Sequence, residues 1–199
     1  MKQVLVLDCT MRDGSRTRQL LDAFLHGVNS ETAEVTVLPL ASMDLKPLVN
    51  EWFDSRQVLL EEDDRTNPRF DLAHQFADAD LIVAAAPYWD YSFPALFKIY
   101  IENISVDGIT FGSGEDGLSG LCKAEKFVYL TTRGGFAKSK SYDDQAYSYL
   151  DSIRSMLGYG EVIPVAAIGM DVQGFDAESE LNRACQEAEA LARELTKTS

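Results

Sequence analysis

Histidine is scarce in this sequence, with His26 and His74 the only two. Both sit in helical contexts away from any loop rich in chemistry, and there is no His-x-His pair for a metal. Neither is expected to act in catalysis. Cysteine is equally sparse: Cys9, Cys122 and Cys185 are scattered, without the spacing of a zinc ligand set or a redox pair. That usage fits a reducing compartment, and a cytoplasmic location is expected. No apolar run approaches the roughly 20 residues that span a bilayer. Residues 1–8 carry neither a long apolar segment nor a small-residue cleavage site, so neither membrane insertion nor secretion is expected. Basic residues are outnumbered, with 18 Lys and Arg against 32 Asp and Glu, a net charge of -14. Such a surface repels phosphate backbones, which disfavours nucleic acid as a partner. Also missing are a Walker A loop, a three-glycine dinucleotide fingerprint and a Gly-x-Ser-x-Gly elbow.

What is present is an ordinary apolar content, 46% of 199 residues, enough for one domain over residues 1–199 with a substantial core. Strand-like and helix-like runs alternate. Val4–Leu7 is a short, wholly apolar run, as in a strand covered on both faces. A helix follows from about Thr17, with Leu20, Leu21, Phe24, Leu25 and Val28 on one stripe. Further strands are expected at 34–38, 81–86, 127–130 and 162–168, where Pro164 points to an edge or a strand end. Pro94 suits the first turn of a helix burying Leu96, Phe97, Tyr100, Ile101 and Ile104. Another helix begins at Asp143-Asp144, with acid near the positive end of its dipole. The last runs from near Asp176 to Lys197. Residues 41–80 are irregular, with an acidic run at 61–64 expected on the solvated surface and a helix from Pro68 towards Ala77. Repeated strand and helix alternation predicts a parallel sheet with helices on both faces.

In an open parallel sheet, ligands bind beyond the carboxyl ends of the strands. Three segments there are unusual. After the first strand, Thr10, Ser15 and Thr17 offer hydroxyls, Gly14 permits a tight turn, and a helix start offers unpaired N–H groups. Together they can hold a phosphate, or serve as an ordinary capped loop. After the third strand, Pro87-Tyr88-Trp89-Asp90-Tyr91-Ser92-Phe93-Pro94 places four aromatics in six residues. These suit a platform for a flat ring, and equally a subunit interface. After the fourth, Thr131-Thr132-Arg133-Gly134-Gly135 combines a glycine pair with a cation, either a ligand-hugging loop or a turn with a surface arginine.

The chain resembles the FMN-dependent NAD(P)H:quinone and azo-compound reductases of the flavodoxin-like superfamily. The resemblance runs along nearly its whole length and is carried most specifically by Ala86–Asp90, Ser92–Lys98 and Thr132–Gly135. It implies a five-stranded parallel sheet in the order 2-1-3-4-5 and an FMN cofactor. The FMN phosphate would be held by Thr10, Ser15 and Thr17, with Arg16 between them. Pro87, Tyr88, Trp89, Asp90 and Tyr91 would line the isoalloxazine, and Thr132, Arg133, Gly134 and Gly135 would close its polar edge. Arg133 would balance the charge of the reduced ring, and Tyr91 or Tyr88 would give a proton to the acceptor. The resemblance further implies NADH or NADPH as cosubstrate, a quinone, azo compound or related small molecule as acceptor, ping-pong hydride transfer, and a homodimer. This chain departs from azoreductases in carrying Asp90 in place of Asn, and Cys9-Thr10 in place of Ser-Ser. A flavodoxin-like electron carrier is the alternative that the acidity favours. The segment Asp8–Gly14 also resembles the first strand motif of metal-dependent lyase barrels, but that fold needs about 250 residues.

Overall fold

The computed structural model describes residues 1–115 and 117–197. Its main sheet has the order β2-β1-β3-β6-β7, all parallel. The strands are β1 (Lys2–Asp8), β2 (Ala33–Pro39), β3 (Leu81–Ala85), β6 (Lys126–Thr132) and β7 (Glu161–Ala167). A separate two-stranded antiparallel hairpin, β4 (Phe111–Gly114) and β5 (Gly117–Gly120), interrupts the numbering. Leaving the hairpin aside, the order is the expected 2-1-3-4-5. Pro164 lies in β7, an edge strand bonded only to β6, where a missing N–H leaves no ladder partner unsatisfied.

The period-two alternation of the strands sorts side chains between two cores. Leu5, Leu7, Ile82, Ala84, Phe127 and Tyr129 face one side. There they meet α3 (Asp71–Asp78), α4 (Ala95–Ile104) and α5 (Gln145–Leu157) through Phe76, Phe97, Tyr100, Ile101, Ile104 and Leu150. Val4, Val6, Val83, Val128 and Leu130 face the other side. They are covered by α1 (Arg16–Gly27) and α6 (Ala177–Leu195) through Leu20, Leu21, Phe24, Ala184 and Ala188. Burial on both faces explains why β1 and β3 read as unbroken apolar runs. Asp144 caps α5 by accepting from the Tyr147 N–H, as the acidic start of that segment implied.

Two elements were not expected. Helix α2 (Asn50–Glu61) buries no residue fully; its half-buried face of Trp52, Arg56, Leu59 and Leu60 includes a charge, while Phe53 and Val58 are exposed, so no clean apolar stripe marks it. The hairpin is a run of glycine and serine with an exposed Leu118, lacking the alternation that marks a strand. The acidic stretch at Glu61, Glu62 and Asp63 is exposed, as charge runs usually are. Among the described residues, no helix is long and apolar enough to cross a membrane.

Candidate functional site

The three segments flagged in the sequence leave the carboxyl edge of β1, β3 and β6, adjacent strands at the centre of the sheet. Backbone hydrogen bonds carry this alignment past the strand ends. Cys9 N donates to Ala85 O at 2.9 Å, and Tyr88 N donates to Thr132 O at 3.2 Å. The loop after β7 joins them: Met170 N donates to Arg133 O and Asp171 N to Gly134 O, both at 3.0 Å.

Gly14, at φ 68°, turns the first loop into α1, whose cap Ser15 accepts from the Arg18 N–H at 3.3 Å. The first turn of α1 holds no acid and carries Arg16 and Arg18 instead. Cations there oppose the helix dipole and favour an anion bound in front of it. Thr17 is buried and its Oγ1 lies 2.7 Å from Thr132 Oγ1, tying the first loop to the third. Two hydroxyls share that bond, so one O–H remains free to donate into the cleft.

In the second loop, Trp89 and Ser92 exchange two backbone bonds, at 2.9 and 2.8 Å. The two residues between them, Asp90 and Tyr91, have φ of 50° and 66°. This is a tight turn with both central residues left-handed, a conformation that favours Asn and Gly. It leaves Tyr91 63% exposed and Trp89 48% exposed at the rim. The Tyr88 ring is half-buried, and its phenol is pushed above its ordinary pKa mainly by burial, so it stays protonated. That hydroxyl donates to the Asp143 carbonyl.

In the third loop, Arg133 is not a surface arginine. It is 1% exposed, its guanidinium is 2.6 Å from the carboxylate of Asp144, and it lies 4.4 Å from the centre of the Tyr88 ring. Its charge is thus already balanced inside the protein. Gly134 sits where a Cβ would come within 2.6 Å of Asp171 Oδ2, whereas Gly135 faces open space. The Asp171 carboxylate is the end of an exposed side chain that can move aside, so packing demands neither glycine of the pair.

These pieces form one solvent-open cleft with a cavity volume of about 130 Å³, below the roughly 300–1,000 Å³ usual for small-molecule sites. Of the residues singled out in the sequence, Ser15, Arg16, Thr17, Pro87, Tyr88, Trp89, Thr132, Arg133 and Gly134 line it. Asp90, Tyr91 and Gly135 lie on the same loops outside the lining. Thr10 faces a neighbouring cleft, where its hydroxyl donates to Asp8 Oδ1 at 2.6 Å. Sequence reasoning missed Met11, Arg12, Met170 and Asp171, which complete the wall. The last two follow β7 directly after Gly169, at φ 72°, a lone glycine with no aromatic cluster beside it to draw attention. Asp171 pairs with Arg16 at 2.8 Å. Cys9, beneath the first loop, is fully buried, and burial together with the charge of Asp8 pushes its thiol up to about 12. It is no nucleophile at neutral pH. A larger hollow lined by Gln3, Asp71, His74 and Asp78 lies at the opposite end of the sheet, away from all three loops.

A doubly wound parallel sheet, with a capped helix start, an aromatic wall and a glycine loop converging at its carboxyl edge, defines a mononucleotide-binding α/β protein. The family model for the flavodoxin-like fold (Flavodoxin_2) matches residues 2–192, and the chain belongs to that family. Over 181 residues it is 33% identical to an FMN-dependent NADH:quinone oxidoreductase of Clostridium beijerinckii, covering 90% of this chain and 91% of the relative. Two solved structures share the fold. One is an azoreductase from Bacillus anthracis str. Sterne, with TM-score 0.81 at 23% identity, covering 98% of this chain and 100% of that one. The other is an FMN-dependent NADH-azoreductase from Bacillus anthracis str. Ames Ancestor in complex with FMN, with TM-score 0.81 at 19% identity, covering 99% and 100%.

Proposed function

We propose that this protein is an FMN-dependent NADH:quinone oxidoreductase with azoreductase-type acceptors, built as a single domain over residues 1–199. The observation that carries the reading is the meeting of Ser15–Thr17, Tyr88–Trp89 and Thr132–Gly134 around one cleft. The donor set suits a phosphorylated planar ligand. Free N–H groups and the Arg16 cation at the start of α1 suit the phosphate. Tyr88 and Trp89 suit the ring face, and the Thr132 hydroxyl with the loop amides suits its polar edge. Bound FMN would supply the two-electron, hydride-accepting chemistry that no side chain here can perform.

The protein's own part is orientation and proton supply. Arg16 and the Thr17 hydroxyl anchor the anionic end, and Thr132, bonded to Thr17, faces the ring's polar edge. Arg133 holds Tyr88 against the cleft, with its charge balanced by Asp144. The Tyr88 proton is committed to the Asp143 carbonyl, so the exposed phenol of Tyr91 is the better-placed donor to an acceptor at the mouth. Thr10 takes no part in the phosphate site in this reading, and Asp90 and Gly135 act through the shape of their loops. We further assign the protein to the cytoplasm, with NADPH as a second cosubstrate and a homodimer as the working form. The exposed aromatic rim at Trp89 and Tyr91 suits a surface completed by a second copy.

The test is spectroscopic. Purified protein should be yellow or take up added FMN. Anaerobic NADH should bleach its flavin absorbance, and benzoquinone or methyl red should restore it. A preparation that binds no flavin, or whose flavin NADH leaves unchanged, overturns the assignment.

A further inference from the structure

Behind the aromatic wall lies a charge pair that takes no part in lining the cleft on its acidic side. The side chains of Arg133 and Asp144 are both 0% exposed and meet at 2.6 Å. Burying two charges is costly unless each is fully paired and hydrogen-bonded, so a buried pair is weak evidence for stability alone. Here the pairing is nearly complete. One oxygen of Asp144 accepts from Arg133 Nη2 and from the Lys140 N–H, the latter at 3.3 Å. The other caps α5 through the Tyr147 N–H at 3.0 Å. Arg133 Nη1 donates to the Ala137 carbonyl and Nη2 to Ser139 Oγ, both at 3.2 Å.

The consequence reaches the cleft through Tyr88. Its ring face rests 4.4 Å from the Arg133 guanidinium, and its hydroxyl donates to the carbonyl of Asp143, the residue before Asp144. The residue after it, Gln145, donates its N–H to the Tyr91 carbonyl at 3.1 Å. Both restraints on Tyr88, on its face and at its tip, therefore depend on where Asp144 sits. A guanidinium over a phenol face is a broad contact that a compact ammonium does not reproduce.

We propose that Asp144 is a positioning residue for the flavin site: through Arg133 and the Asp143 carbonyl it sets the plane of Tyr88 without touching the ligand. The inference rests on the flavin reading above. Asp144→Asn keeps a capping oxygen for α5 and removes the charge; Arg133→Lys keeps the ion pair and removes the guanidinium over the Tyr88 ring. Each is expected to weaken FMN binding, read by flavin fluorescence, by about tenfold. In a Tyr88→Leu background the same substitutions should change FMN affinity less than about twofold, since the group they act through is gone. Equal factors in both backgrounds overturn the proposal, because a merely structural role would weaken binding alike in each. Fluorotyrosine placed at position 88 gives a second readout in ligand-free protein. Its fluorine resonance should shift in Arg133→Lys, and an unmoved resonance also refutes the idea. If Asp144→Asn does not fold, Arg133→Lys carries both measurements. If the unaltered protein binds no FMN, the functional reading fails, while the resonance still decides whether this pair sets the ring.

Discussion

The bond between Thr17 and Thr132 offers a direct test of how the site is closed. The two hydroxyls lie 2.7 Å apart and join residues 115 positions apart in the chain. Thr17→Val is nearly isosteric, so it removes the hydroxyl without opening a cavity. The loss has two parts: a net hydrogen bond of about 1 kcal/mol, and a further cost of about 1 kcal/mol for any desolvated partner left unpaired. Thr17 is buried while Thr132 is half-buried, so water can reach the orphaned hydroxyl and recover part of the second term. A total of about 1–2 kcal/mol follows, or roughly 2–8 °C in melting temperature for a chain of this size. Thr132→Val should cost a similar amount. The double variant should cost less than the sum, by about 1 kcal/mol, since the second change removes an already broken bond. FMN affinity should fall by about tenfold in either single variant, because the remaining O–H donor is lost or redirected. Differential scanning fluorimetry and flavin titration measure both. Strict additivity of the two substitutions would refute the coupling, and unchanged flavin affinity would refute the role of this pair in holding the ligand.

Other consequences are open to measurement. Asp171→Asn should leave the melting temperature within about 1–2 °C, because exposed ion pairs contribute little, yet it releases Arg16. FMN affinity should rise by about two- to fivefold at low salt and return to normal at high salt, and a weaker affinity would contradict this role for Arg16. Tyr91→Gly relieves a side chain held at φ 66°, a strain of about 1–2 kcal/mol that the lost ring contact and the flexibility of glycine largely offset. Stability should change little while acceptor turnover drops, and an unaltered quinone reductase rate would remove Tyr91 from the mechanism. Stability should also decline in alkali. Burial pushes the thiols of Cys9 and Cys122 from 9.0 up to about 12, so between those values the unfolded chain holds fewer protons than the folded one. Each thiol then removes up to about 1.4 kcal/mol of stability per pH unit. Urea midpoints should fall from pH 9 upward, less steeply in Cys9→Ala/Cys122→Ala, and a flat profile would be inconsistent with these burials.

The legible part of the fold was the part buried on two sides. Val4–Leu7 and Leu81–Ala86 leave no polar alternation because helices cover both faces, and α1 and α4 show stripes because each packs on one core. Helix α2 was illegible for the opposite reason: it is only half-buried, through Trp52, Arg56, Leu59 and Leu60, and its exposed Phe53 and Val58 blur the stripe. In the site, residues whose backbone needs are special, such as Gly14 and the aromatic turn, stood out. Thr10 looked identical to Ser15 and Thr17 in composition, but its side chain turns back to Asp8, and only coordinates show which way a hydroxyl points. For Arg133 the sequence leaves a ligand-facing cation and a surface arginine both open, and its burial on Asp144, 11 residues on, lies beyond local inspection. Met170 and Asp171 were invisible because contact with Arg133 and Gly134 comes from strand order, not from any local motif.

The wall of the cleft is gathered from residues as far apart as Met11 and Asp171, so no fragment of the chain contains a working share of it. Occupancy and integrity therefore become a single equilibrium. At free flavin a hundredfold above its dissociation constant, the native state gains about 2.7 kcal/mol. In a cell short of riboflavin-derived nucleotides, the empty protein would be the form that proteases clear first.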